Sequence, residues 1–445
     1  MIGGGFTGGF PWRPKTPQDQ PPTLGVVQSL DPVYRAQILR LPSKAAPRPY
    51  APPSSAGVAD RSEALASFRE GRPSVRWVGP LFDGSGYAEA SRNYVAALSV
   101  AGVAVTASSI SFEDARADYG SAGRYATVAC GRKAPYAVNI VHLTPEHYPR
   151  YRVDGCYNIG MFAWETDILP EEWIQTCRVM DEIWVPCQWT AEVARASGVN
   201  QPIHVFGHCA NLEEYRDGPA LSFPELRPEW FKFYSIFQWT ERKNPRALLR
   251  AYLSEFTDKE PVVLVLKTYR SNYSTAEQEA VISEIDQIKR EVGGNKQPRL
   301  LVILDMMSRD EILAFHRMGD CFVLLHRAEG WGLPLFEACL MERPVITTAH
   351  GGNMEFTRPE TCFLVKHTPT PVQGMDWIPW YKPYMKWADP DINDARSQMR
   401  YVFLNRQQAA ARAKAARLFV SEHFSWERVG MAMRRRIEEI LKKMG

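Results

Sequence analysis

Along most of the chain, short apolar runs alternate with longer segments of helical periodicity. Such strand–helix alternation is typical of a parallel sheet that is covered by helices on both faces. It restarts once, near residue 231, and therefore predicts an α/β protein with two doubly wound, Rossmann-like domains in series. The apolar runs of the first half are VRWVG, VAVTA, AVNIV, YNIGMFA, EIWV and IHVF, and those of the second half are FKFYSIF, PVVLVL, LLVIL, CFVLL, PVIT and TCFLV.

Breaks in this alternation predict the domain boundaries. Residues 1–70 are rich in glycine and proline and predict a disordered arm. The proline-bearing stretch 217–230 has no regular period and predicts the linker. We expect an N-terminal domain over residues 71–216 and a C-terminal domain over residues 231–420. Residues 421–445 are expected to form a final amphipathic helix.

The final helix has one apolar and one basic face. Val429, Met433, Ile437 and Leu441 recur at i+4 spacing, and arginines and lysines lie opposite. We expect the apolar face to pack back on the N-terminal domain. A peripheral contact between this helix and a membrane surface remains an open alternative.

The composition indicates the cellular compartment of the protein and the kinds of partner that it binds. The formal net charge of the 445 residues is +3, which does not favour a nucleic-acid binder that relies on a strong overall field. The eight cysteines include no C-x-x-C pair, and most lie in apolar runs, which is typical of reduced, buried thiols. No apolar stretch is long enough to span a bilayer, and the N-terminus lacks the order of a signal peptide. We therefore expect a cytoplasmic protein, with contact at the inner face of the membrane still open.

The most informative segment, EGWGLPLFEACL, directly follows the strand CFVLL. Glu329 and Glu337 are separated by a tight loop that opens a helix, and backbone amides at such a helix start favour an anion. Glu337 is placed to accept hydroxyl groups of a ribose, and Glu329 to face a sugar. The residues between them that we assign to donor binding are Gly330, Trp331, Gly332, Leu333 and Pro334.

Together with the RPVI and GGN pieces that follow, EGWGLPLFE resembles the retaining glycosyltransferase family 4, whose members have the GT-B fold. A second match is QWTERKNPRALLRAYLSEF, where this family places an Arg and a Lys that hold the donor diphosphate. Arg242 and Lys243 occupy those positions. Fixed cations there stabilise the charge that grows on the departing phosphate.

Less specific matches extend the resemblance over roughly residues 75–440. Met307 precedes the helix RDEILAFHRMG and would lie near the nucleotide base, and Lys267 ends PVVLVL as a further cation. Gly84 and Gly86, in VGPLFDGSGYAEA, resemble the first glycine-rich loop of the family and supply a tight turn whose amides face either the donor phosphate or the acceptor.

One position departs from the family pattern. Where many family 4 enzymes have a His-Asp or His-Glu pair, this chain has Trp164 and Glu165. Glu165 is the polar candidate near the reacting sugar, and buried packing is its alternative. With His142, at the end of another strand, Trp164 is assigned to the acceptor side of the cleft.

The resemblance implies two Rossmann-like domains that face a central cleft, and transfer of a hexose from a UDP- or GDP-sugar with retention of configuration. It implies neither a metal nor another cofactor, and the triplet Asp389–Pro390–Asp391 predicts only a turn and a helix start. Another GT-B chemistry, a non-catalytic subunit that binds a partner through its arm, and a transferase that modifies nucleic acid bases remain alternatives. The sequence leaves the donor base, the acceptor and the oligomeric state open.

Overall fold

The computed structural model describes residues 60–111, 119–294 and 296–445, together with the backbone of 37–39. Gln37–Leu39 form strand β1, and Arg61–Arg69 form helix α1, whose N-cap is the Asp60 carboxylate. Because β1 and α1 lie within 1–70, our expectation of an arm that is disordered up to residue 70 is wrong for these two stretches. Residues 1–36 and 40–59 of the arm lie outside the described residues.

The N-terminal domain is built on a parallel sheet that, in the described part of the chain, has six strands in the order β3-β2-β4-β5-β6-β7. The order changes direction between β2 and β4, which is the switch point where doubly wound sheets bind ligands. Its strands are β2 Ser74–Pro80, β3 Ala104–Ile110, β4 Val138–His142, β5 Tyr157–Met161, β6 Glu182–Val185 and β7 Ile203–Val205, and its helices are α2 Gly86–Val100, α3 Gly120–Gly131, α4 Tyr148–Tyr151, α5 Glu171–Cys177 and α6 Gln188–Ala196.

The C-terminal domain is built on a second parallel sheet, whose described strands run in the order β1-β10-β9-β8-β11-β12-β13. Its switch point lies between β8 and β11. The added strands are β8 Phe231–Gln238, β9 Val262–Tyr269, β10 Arg299–Ile303, β11 Cys321–Leu324, β12 Val345–Thr348 and β13 Phe363–Val365, and the helices are α7 Pro245–Glu255, α8 Thr275–Val292, α9 Arg309–Met318 and α10 Leu333–Leu340.

A hairpin follows the second sheet and was not predicted. Strands β14 (His367–Pro371) and β15 (Lys386–Pro390) pair antiparallel, with His367 opposite Pro390. The hairpin contains Asp389 and Pro390, which we had assigned to a turn, whereas Asp391 caps the next helix as expected. That helix is α11 (Ile392–Leu404), and α12 (Arg406–His423) follows it.

The last helix, α13 (Trp426–Met444), packs on α2 of the N-terminal domain. Val429, Met433, Ile437 and Leu441 are buried there, so the apolar face of α13 is covered. The chain crosses between the domains beside its first crossing, because the Ala210 amide donates to Phe424 O and the Trp426 amide donates to Ala210 O. Among the described residues, no helix combines the length and the apolar character that a bilayer span requires.

Candidate active site

The two connections at the switch point of the C-terminal sheet lie side by side. After β8, a short turn ends at Asn244, whose positive φ of 52° and side-chain bond to the Ala247 amide begin α7. The turn carries Arg242 and Lys243. The Arg327 amide, after β11, donates to Arg242 O over 2.8 Å and joins the two connections.

Glu329 lies at the centre of a buried ion cluster. Its side chain is 5% exposed and contacts the Lys243 ammonium directly, while Arg242 Nη1 lies 3.6 Å from its second oxygen. Burial would raise the pKa of Glu329, but the charges of Lys243 and Arg242 outweigh burial and lower it below its usual value. Burial also lowers the pKa of Lys243 against the opposing effect of Glu329. The cluster therefore holds one ionised carboxylate between two cations.

Arg242 also connects this cluster to the N-terminal domain. Its Nη1 lies 3.3 Å from Glu165 Oε1 and donates to Ala328 O over 3.1 Å. The structure thus brings together four predicted residues from two domains, namely Glu165, Arg242, Lys243 and Glu329.

Two glycines, Gly352 and Gly332, fix the backbone of the loop that carries Glu329. The Gly352 amide donates to Glu329 O over 2.7 Å. A Cβ on Gly352 would lie 1.9 Å from Gly330 O, so this close approach requires glycine. Gly332, with φ of 89°, is the N-cap of α10, and Leu333 and Pro334 form its first turn.

Trp331 directs its side chain away from the cleft. The indole is 2% exposed and packs against His208, Phe336, Phe356 and Phe424, with ring centroids 5.0–5.6 Å apart. Of the predicted donor residues, Trp331 therefore has only backbone atoms to offer a ligand at this loop.

Glu337 forms a second buried cluster. Its carboxylate contacts the Arg309 guanidinium, accepts from Tyr215 OH over 3.2 Å and lies 3.4 Å from His316 Nε2. Burial would raise the pKa of Glu337, but Arg309 and His316 lower it to about 2. Glu337 is ionised, and both of its oxygens have protein partners. Neither Arg309 nor Tyr215 was predicted, because both come from segments that are distant in the sequence.

Lys267 and Met307 are both 4% exposed. The Lys267 ammonium lies over the rings of Tyr269 and Tyr273, 5.6 and 5.0 Å from their centroids. Met307 lies in the connection between β10 and α9. Sequence reasoning also missed His326, three residues before Glu329 and fully buried, whose two ring nitrogens lack a hydrogen-bond partner among the described residues. Burial lowers the pKa of His326 to about 3, so its ring is neutral.

The glycine-rich turn of the N-terminal domain faces the start of α10. Gly84 and Gly86 flank Ser85, whose hydroxyl caps α2 by accepting from the Ala88 amide over 3.1 Å. A Cβ on Gly86 would meet Leu333 Cδ1 at 3.8 Å, so the two predicted loops meet across the cleft without crowding.

His142 lies behind the cleft. It is 2% exposed, its Nδ1 is 2.6 Å from Ser91 Oγ, and its ring stacks on Tyr87 with centroids 5.1 Å apart. Burial, with a smaller effect of His208, holds the pKa of His142 well below its usual value. The neutral ring thus supports Tyr87, a residue that itself lines the cleft.

Trp164 is a platform for the hairpin. It is 3% exposed, its ring stacks on Tyr381 at 5.4 Å and 21°, and its indole N–H donates to Ile168 O over 2.8 Å. Tyr381 OH in turn donates to Glu165 Oε2 over 2.9 Å. Trp164 is therefore a residue on which the unpredicted hairpin packs, and its neighbour Glu165 is bonded to the same tyrosine.

This chain matches known proteins over different lengths in sequence and in structure. Residues 285–371 match the family model described as Glycosyl transferases group 1, which contains the Glu329–Glu337 segment. The trehalose synthases of Thermococcus litoralis and Pyrococcus furiosus are each 26% identical over 136 residues. These alignments cover 30% of this chain and 27% of each relative, so the chain matches about a quarter of their length.

Solved structures match over a much larger part. Sucrose-phosphate synthase of Thermosynechococcus elongatus superposes with a TM-score of 0.60, over 84% of this chain and 100% of that chain, at 14% identity. HepE of Anabaena, crystallised with UDP and glucose, gives a TM-score of 0.56 over 82% and 99%, also at 14% identity. The chain has the GT-B fold. This GT-B arrangement of two parallel α/β domains confirms the predicted fold class.

Proposed function

We propose that this GT-B protein is a retaining glycosyltransferase that transfers a hexose from a UDP- or GDP-sugar to a hydroxyl group of an acceptor. The observation that carries the proposal is the cluster of Glu329, Lys243 and Arg242 at a sheet switch point. Two cations are held there beside a helix start, in the segment that matches the glycosyl transferases group 1 model. HepE, which has the same fold, was crystallised with UDP and glucose, and this supports UDP as the first nucleotide to test.

The chemistry that these residues offer is stabilisation of a leaving group. When the bond between sugar and phosphate breaks, negative charge grows on the nucleotide diphosphate, and preorganised cations in a water-poor site stabilise it. Arg242 and Lys243 supply this charge, and Glu329 holds both in place before the donor binds. We propose that the two cations perform this role without a metal ion.

Glu337 is proposed to hold the ribose of the donor. Its carboxylate is ionised and lies one helical turn into α10. Since Arg309 and Tyr215 contact it in the structure, ribose hydroxyls would replace some of these contacts when the nucleotide binds. Glu165, which lies 3.3 Å from Arg242, is proposed to face the reacting sugar.

The proposal is tested by nucleotide binding in the presence of a metal chelator. Thermal unfolding is measured with UDP, GDP, ADP and their sugar derivatives, and we expect stabilisation by UDP or GDP. A ligand at 100 times its dissociation constant adds about 2.7 kcal/mol to the free energy of unfolding. Lys243→Gln should abolish this stabilisation, because it removes a cation that meets the diphosphate.

Lys259→Gln is the matched control, since Lys259 is exposed in the same domain and precedes β9, whereas the cluster residue Lys243 follows the parallel strand β8 and so lies at the opposite edge of the sheet. The control should keep the full nucleotide response. If neither wild-type protein nor control responds to any nucleotide, the donor site is wrong and the transferase proposal fails with it.

A further inference from the structure

A cavity lies beside the ion cluster, between the hairpin and the N-terminal domain. Its volume is about 190 Å³. Arg242 lines it, while Glu329, Lys243 and Glu337 do not. The cavity is thus adjacent to the proposed donor site without being part of it.

Six of the fourteen residues that line the cavity are aromatic. Trp173 packs edge-on against Trp164, with centroids 4.6 Å apart, and lies 5.8 Å from Trp380. Trp377 is 64% exposed, which places an indole at the mouth rather than in the core. The six aromatic residues of the wall are Tyr87, Trp164, Trp173, Trp377, Trp380 and Tyr381.

The cavity also contains polar groups, one of which has no partner in the described part of the chain. Thr240 lines the cavity, and its buried Oγ1 lacks a hydrogen-bond partner among the described residues. Glu165 and Arg242 line it together, 3.3 Å apart, and Thr144 adds a hydroxyl group. Buried polar groups are costly when a ligand leaves them unpaired, so the ligand that fits must offer hydroxyl groups as well as an apolar face.

We infer that this cavity is an acceptor subsite for a carbohydrate, with a pyranose ring lying against Trp377 or Trp380. This inference rests on the proposed transferase function. A pyranose presents C–H groups on its faces, which suit the electron-rich face of an indole, and hydroxyl groups around its rim. Those hydroxyl groups can reach Glu165, which touches Arg242 and hence the donor cluster.

Other acceptors fit these observations less well. A lipid chain would offer no hydrogen-bond partner to the buried Thr240 hydroxyl group, which lines the cavity. A nucleic acid could stack its bases on the indoles, but its phosphates would meet the Glu165 carboxylate, and Arg242 is already paired with both Glu165 and Glu329. The combination of aromatic wall and carboxylate favours a neutral, hydroxyl-rich ring.

The test is retention of glycans on an array of immobilised oligosaccharides, with UDP or GDP present. Trp377→Ala and Trp380→Ala are compared with wild-type protein. Tyr384→Ala is the matched control, because Tyr384 is 63% exposed on the same hairpin but does not line the cavity. We expect wild-type protein and the control to retain a common set of glycans, and each tryptophan variant to lose at least tenfold in retention. Trp380→Phe should restore most of the binding that Trp380→Ala loses.

The nucleotide response is measured on the same samples and should be equal in all variants, which excludes misfolding as the cause of a loss. Equal retention by the tryptophan variants, or no glycan retained by a wild-type protein that still responds to nucleotide, overturns the carbohydrate subsite and leaves the donor site intact. If wild-type protein does not respond to nucleotide, the proposed function fails first, and the subsite falls with it.

Discussion

The segment from Glu329 to Glu337 and the hairpin from His367 to Pro390 approach the same cleft with different chemistry. In the first segment, both glutamates are buried and paired with cations, and the backbone is fixed by close contacts to glycine. In the hairpin, tryptophan and tyrosine side chains dominate, and two of them, Trp377 and Tyr384, are largely exposed. One segment is built to hold charge, and the other presents aromatic surface.

The two segments also differ in how they match the family model. The charged segment lies within residues 285–371, where the family model matches, whereas most of the hairpin lies beyond that match. The hairpin also packs on the N-terminal domain, because Tyr381 stacks on Trp164. Trp164 and the aromatic hairpin are therefore parts of the same packed feature.

Removing the charge of Glu329 should have the largest effect. Glu329→Gln keeps the shape of the side chain but no longer balances Lys243 and Arg242, so the rate of nucleotide release from the sugar donor should fall about 10²–10³-fold. Glutamine is preferred to alanine because it keeps the volume of the side chain and so leaves no cavity at this buried position. The exposed Glu342, just after α10, gives the control Glu342→Gln. A rate for Glu329→Gln within a factor of three of wild type would contradict a role for this segment in the reaction.

A larger residue at Gly352, which supports the loop that carries Glu329, should have the next largest effect. Gly352→Ala would place a Cβ 1.9 Å from Gly330 O, and overpacking of this kind costs about 1–3 kcal/mol. Gly86→Ala is the control, because its Cβ would meet its nearest atom at 3.8 Å. Urea unfolding should show a loss of stability in Gly352→Ala alone. Equal midpoints for the two variants would mean that the loop is less tightly held than the hydrogen bond between Gly352 and Glu329 indicates.

The smallest effect is expected at the hairpin. Tyr381→Phe removes the hydrogen bond to Glu165, which is worth about 1 kcal/mol. Amide hydrogen exchange should become about fivefold faster over residues 367–390, since a free energy of this size changes an opening equilibrium by that factor. Exchange over 329–337 should stay unchanged, and Tyr384→Phe should alter neither segment. Faster exchange in both segments at once would show that they open as one unit.

Much of the fold could be predicted from the sequence, for a physical reason. All twelve apolar runs contain strands of the two sheets, because strands such as β9, buried on both faces, require continuous apolar residues. The hairpin strands, HTPTP and KWADP, lack both a continuous apolar run and a clean alternation, since they pair with each other at the edge of the cleft. Their sequence therefore gave no strand signal.

The residues of the candidate site could likewise be predicted only in part. Glu329, Arg242 and Lys243 could be predicted to lie together because each follows a strand of the same parallel sheet, at neighbouring positions. Two further residues, Arg309 and Tyr215, contact Glu337. One lies at a helix start and the other in the segment before the linker, so no local sequence pattern predicts that they lie close together. The aromatic wall is likewise assembled from both domains, so only the folded chain reveals it.

The return of the chain to the N-terminal domain has a mechanical consequence. Where the chain returns to the N-terminal domain, the backbones of Phe424 and Trp426 are hydrogen-bonded to Ala210. The two segments that connect the domains therefore lie side by side. Hinge closure of two domains is absorbed by a few residues of the connecting segments, and here both connections pass the same place. Opening and closing of the cleft would then move the hairpin and Glu165 about this one place, and each closure would bring the same atoms back opposite one another.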